Sequence, residues 1–181
     1  MTARIADPPP FFLEDFFAGR SRAWGIFQDR FGKLRQQFVV DVHGKWEPDT
    51  RKLTIVEDFI YASGQTDQRT WHLRKLADDH YEGHTEGIVG TADIRAMRQA
   101  VHLKYRLQVP IGDRPWTLSF DDWMFRQDET VVINRANVRK WGIHIGTATI
   151  CFARSLAKLG SAGGRTLPAH ALTGLFTGRV A

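Results

Sequence analysis

From Arg22 to Arg154 the chain repeats about ten times a run of alternating apolar and polar residues, each closed by a short turn of Gly, Pro or Asp. The rhythm is clearest at Val101-His102-Leu103-Lys104-Tyr105-Arg106-Leu107-Gln108-Val109. Every odd-numbered residue there is apolar and every even one polar, so one face of an extended strand is buried and the other is wet. Pro110 to Pro115 then reads as a turn by composition. Strands are expected at roughly 21–31, 35–46, 52–62, 67–76, 80–86, 88–97, 100–109, 115–126, 130–140 and 143–154. No helix-length span separates them, which argues against parallel βαβ units. The pattern predicts an all-β, antiparallel meander closing into a barrel of about eight to ten strands. Alternation is weakest over 86–99, where Ala96 to Ala100 also reads as a helical turn. Ahead of the strands, Phe12, Leu13, Phe16 and Phe17 follow Pro8-Pro9-Pro10 at near-helical spacing. They predict a short N-terminal helix or plug ended by Gly19. Gly25, Gly44 and Gly83, inside strand runs, read as bends or bulges.

Turn chemistry gives two hairpin registers, because opposed residues of an antiparallel pair share a face and a constant index sum. A turn centred on Asp49-Thr50 sets Trp46 against Leu53, Gly44 against Ile55, Val42 against Glu57, Val40 against Phe59 and Phe38 against Tyr61. Nine of these ten suit an apolar wall, and Glu57 is the exception. A carboxylate there pays for desolvation unless it is partnered, protonated or solvated by a cavity. A turn centred on Asp128-Glu129, two or four residues long, sets Asp122 against Arg135 and Phe120 against Asn137. Residues 116, 118, 120, 122 and 124 are Trp, Leu, Phe, Asp and Met, so an ion pair is expected on a mostly apolar face. It reads either as a structural buckle or as the polar end of a ligand pocket.

Composition narrows the classes. The 181 residues are 43% hydrophobic and 25% charged, ordinary for a soluble globular protein, and no apolar run is long enough to predict a transmembrane segment. Of the net charge of +5, the last 27 residues carry +3 through Lys158, Arg165 and Arg179 with no acid. The barrel is therefore only mildly basic, RNA-recognition signatures are missing, and nucleic acid is not an expected partner. Residues 1–154 are expected to form one barrel domain with its plug. Residues 155–181, with Gly160-Ser161-Ala162-Gly163-Gly164, read as a poorly ordered or loosely docked tail. Cys151 is the only cysteine, which excludes an intrachain disulfide and Cys-rich zinc sites. Residues 1–10 have no apolar signal region, so a cytoplasmic location is expected. His80 and His84 are four apart but on a predicted strand, where that spacing does not converge on a metal. Neither a metal nor another cofactor is predicted. Six tryptophans, Trp71 among them, are spread along the chain rather than gathered in one cluster and read mainly as core, although large aromatics such as Trp71 and Tyr61 can also line a pocket.

Several segments together carry a resemblance: Phe16-Phe17-Ala18-Gly19, Ala23 to Gly32 (AWGIFQDRFG), Glu57-Asp58-Phe59-Ile60-Tyr61, Phe120-Asp121-Asp122-Trp123-Met124 and Ile133-Asn134-Arg135-Ala136. The chain resembles an uncharacterised bacterial family, domain of unknown function 3833, over roughly residues 11 to 154. The resemblance implies a lipocalin-like barrel and supplies no catalytic residues. Many members look like lipoproteins with a lipobox cysteine, and this chain has no cysteine near its start. The expected function is binding of a small apolar or amphipathic molecule, lipid or fatty-acid-like, inside the barrel. Glu57, Asp122, Arg135, Asn137, Trp71 and Tyr61 are the candidate contacts. One alternative is an interaction module with a filled barrel. Another is an enzyme using a buried carboxylate, Glu57 or Asp122, as acid or base.

Overall fold

The computed structural model describes residues 8–111 and 113–154; the predicted tail at 155–181 lies outside the described residues. One short helix, α1 (Leu13–Phe17), precedes ten strands: β1 (Gly19–Asp29), β2 (Leu34–Glu47), β3 (Lys52–Tyr61), β4 (Thr66–Ala77), β5 (His80–His84), β6 (Ala92–Met97), β7 (Ala100–Ile111), β8 (Arg114–Arg126), β9 (Val131–Lys140) and β10 (Ile143–Arg154). Each strand pairs antiparallel with the next, and β10 returns to β1, from Ser21↔Arg154 to Asp29↔Gly146, closing the barrel. Closure removes the exposed edges of an open sheet. The expected strand at 88–97 is shorter than its pattern: Gly87 and Gly90 take positive φ, and before β6 only an isolated bridge, Ile88 to Leu107, joins 85–91 to the sheet. Among the described residues no helix is long and apolar enough to cross a membrane.

The helix plugs one end. Phe11, Leu13, Phe16 and Phe17 are almost fully buried, and Phe17 meets Phe152 edge to face with ring centroids 5.3 Å apart. Glu14 reaches into the wall, accepting hydrogen bonds from Lys75 Nζ at 2.5 Å and Tyr81 OH at 2.6 Å. Burial opposes the charged form of Glu14, but the hydrogen bonds from Lys75 and Tyr81 outweigh it and hold the carboxyl below its ordinary range. Two arginines tie the remaining backbone down. Arg126 Nη1 donates to the Pro10 carbonyl at 2.8 Å, and Arg154 donates to the carbonyls of Asp15 and Phe16.

Gly25, Gly44 and Gly83 are not bulge sites. The register shifts fall at Phe27/Gln28, Lys75/Ala77 and His144/Gly146. These glycines make room instead. A Cβ on Gly44 would lie 1.9 Å from the Phe17 carbonyl oxygen, and one on Gly25 would lie 2.2 Å from the Phe38 ring.

Candidate functional site

Strand parity decides which side chains enter the barrel, and the β2–β3 hairpin has the register its turn predicts, Trp46↔Leu53 through Phe38↔Tyr61. Glu57 therefore points inward, between Val42 on β2 and Arg69 on β4. The second hairpin departs by one residue: Asp122 opposes Ala136, and Arg135 opposes Trp123. The cause is the turn. Gln127 N–H donates to the Val131 carbonyl across a loop of three residues, while Asp128 Oδ1 accepts from the backbone of Thr130 and Val131. An odd loop exchanges the faces of the returning strand. Val132, Asn134, Ala136 and Val138 are consequently buried inside, Arg135 is exposed, and Asn137 is half-buried on the outer face. The Asp122–Arg135 pair does not form, and Arg135 and Asn137 are not lumen residues.

The cation set among the inward carboxyls is Arg69. It lies two residues before Trp71 and shares its inward face, the parity signal that locates it in the sequence. Around it the lumen gathers Glu57 and Tyr61 from β3, Asp67 and Trp71 from β4, Tyr105 from β7 and Asp122 from β8. The Arg69 charge bears on Glu57, Tyr61, Asp67, Tyr105 and Asp122 alike. Aromatic rings sheathe these groups. Tyr105 stacks on Phe120 at 4.8 Å and meets Trp71 edge on at 5.2 Å, while Phe59 stacks on Tyr61 and touches Phe38.

Hydrogen bonding in this cluster is incomplete. Tyr105 OH donates to Asp122 Oδ2 at 3.2 Å, and the Gln68 backbone N–H donates to Asp67 Oδ1. Glu57 Oε2, Tyr61 OH, Asp67 Oδ2, Arg69 Nε, Thr85 Oγ1 and Asp122 Oδ1 are buried with no partner, and among the described residues Arg69 forms no ion pair. Burial pushes the Asp122 carboxyl up to about 7, against the lowering effect of Tyr105 and Arg69. It likewise raises Glu57 and Asp67, each opposed by Arg69. Six unsatisfied polar atoms in one region cost far more than a native interior usually carries. The region is also loosely filled. Inward-facing Glu57, Arg69, Ala148 and Ile150 are only half-buried, whereas Tyr81, Leu53 and Ile94 near the plug are fully buried.

Outside, one row of opposed residues crosses six strands with only apolar or thiol side chains: Ile60, Val39, Trp24, Cys151, Ile133 and Phe125. Trp24 is 50% exposed, and part of the row lines a groove of about 560 Å³. His102 and His144 lie on the outer face, where His102 engages Asp121 at 2.6 Å.

Two solved structures share the fold. The S-type phycobiliprotein lyase CPES from Guillardia theta superposes with a TM-score of 0.57 at 10% identity, over 78% of this chain and 89% of its own. A protein of unknown function from the DUF3598 family of Nostoc punctiforme superposes with a TM-score of 0.59 at 9% identity, over 85% of this chain. This chain spans about half the length of that second protein, 53%. No curated protein matches the sequence. Identities this low show a shared lipocalin-like barrel and nothing finer. Family membership rests on the sequence itself: the model of the family described as protein of unknown function (DUF3833) matches residues 3–154, the whole of the helix and barrel, and the chain belongs to that family.

Proposed function

We propose that the barrel binds a small amphipathic molecule, its apolar part against the rings of Phe38, Phe59, Trp71, Tyr105 and Phe120 and its polar end among Glu57, Arg69 and Asp122. The observation that carries this reading is the set of buried, unpartnered polar atoms around incompletely filled space. Leaving such groups unpaired costs about 1–3 kcal/mol each, and a bound polar group removes that cost. Arg69, rather than Arg135, is the cation of the site, and Tyr61 and Trp71 form part of its wall.

Native mass spectrometry of freshly purified protein, followed by denaturation and solvent extraction, tests the reading. A co-purifying small molecule at near-equal stoichiometry is expected, and its share should fall in a Trp71→Ala, Phe120→Ala double variant that keeps the wild-type far-UV spectrum. A clean apo mass that resists loading with any twelve-carbon amphiphile would end the proposal.

A second reading follows from Asp122, a carboxyl that changes protonation near neutrality and has no arginine closed upon it. Such a group can pass a proton to or from a bound molecule. Incubating the extracted molecule with protein and following its mass and isomer composition separates the two readings. Conversion that Asp122→Asn abolishes favours acid–base chemistry; an unchanged molecule favours binding alone.

A further inference from the structure

We infer that the polar end of the ligand is a cationic hydrogen-bond donor, an ammonium or amidinium seated between Glu57 and Asp122, rather than a carboxylate held by Arg69. This rests on the binding reading above and names the chemistry of that same site. The unsatisfied atoms are mostly acceptors. Three are carboxylate oxygens, from Glu57, Asp67 and Asp122, and only one, Arg69 Nε, is an obligate donor; the hydroxyls of Tyr61 and Thr85 serve either way. A complementary head group therefore brings more donors than acceptors.

Charge favours the same head group. Three carboxyls share one guanidinium, so the fully ionised cluster carries two net negative charges in poorly solvated space. A cation lowers that imbalance, whereas an anion enlarges it unless the acids take up protons. The other inward cations are committed elsewhere. Lys75 is paired with Glu14, and Arg126 is bound to the carbonyls of Pro10 and Asp128, both toward the plug. Among the described residues no further cation is placed to neutralise the acids. The groups acting on Asp122 are Tyr105 from β7, Arg69 from β4, Glu57 from β3 and Asp121 beside it on β8.

The test titrates the full-length protein with three probes sharing a twelve-carbon chain: dodecylammonium, dodecanol and dodecanoate, each below its micelle concentration, followed by tryptophan fluorescence and calorimetry. At about pH 8 dodecylammonium is expected to bind at least about tenfold tighter than dodecanoate. Its affinity should fall between about pH 8 and pH 6, as protons compete for the carboxyls. Asp122→Asn should weaken dodecylammonium about tenfold and flatten that pH dependence, while Arg69→Gln, which removes a like charge from the site, should tighten it. Glu57→Gln gives an independent reading should Asp122→Asn fold poorly. Tighter binding of dodecanoate, lost in Arg69→Gln, would overturn the cationic head group and keep the binding site. Dodecanol binding as tightly as dodecylammonium would overturn it too. Failure of all three probes would overturn the binding reading and this inference with it.

Discussion

Asp122 faces the lumen at 7% exposure, with one oxygen held by Tyr105 and the other unpaired. Its carboxyl ionises near 4 in an unfolded chain and near 7 in the barrel, so the folded protein binds more protons between those values. Stability must therefore decline as pH rises through that window and stay low above it. Asp122→Asn should raise unfolding free energy by roughly 2–4 kcal/mol at about pH 8 and by little at about pH 4, read by urea denaturation at both pH values. A result with the opposite sign would mean that Asp122 is held by a cation. At this scale the sequence carried Glu57, Asp122, Tyr61 and Trp71 to the lumen, because each stands out against, or fits, a period-two pattern. One residue of register moves Arg135 and Asn137 to the outer face, and Arg69, two residues from Trp71, looks like any wet-face residue until its parity is counted.

The helix and the hairpins show what local pattern can and cannot fix. Alternation located all ten strands, since burial on one face imposes it directly. Loop length decided register: the Asp49-Thr50 turn is even and legible, while the turn at Asp128 is odd because its side chain gathers two later backbone N–H groups. The helix docks because Gly44 has no side chain. In Gly44→Ala the new methyl would meet backbone, the Phe17 carbonyl, rather than a side chain that can rotate. About 3 kcal/mol of stability should be lost, with early proteolysis between residues 8 and 18 while the β-sheet spectrum persists. Gly25→Ala meets only the Phe38 ring, which can turn, so its loss in the same thermal melts should be smaller.

Closure of the barrel belongs to the whole molecule. Strands β1 and β10 lie at opposite ends of the described chain, and no local signal says that Trp24 will sit beside Cys151. Only the closed sheet turns scattered apolar residues into a continuous outer row, and only closure brings Asp122 of β8 toward Glu57 of β3. The same closure gives the tube two unlike ends. One is sealed by α1 through Glu14, Lys75, Arg126 and Arg154, and among the described residues no helix covers the other. A tube sealed at one end is a cul-de-sac: whatever enters must leave by the way it came, and a newcomer has no second door through which to push the occupant. Under the binding reading, the rate at which a labelled occupant departs should then be set by its own escape alone. Stopped-flow chases at increasing excess of unlabelled competitor should give one unchanging rate, and a rate that climbs with competitor would show that the stopper at α1 opens.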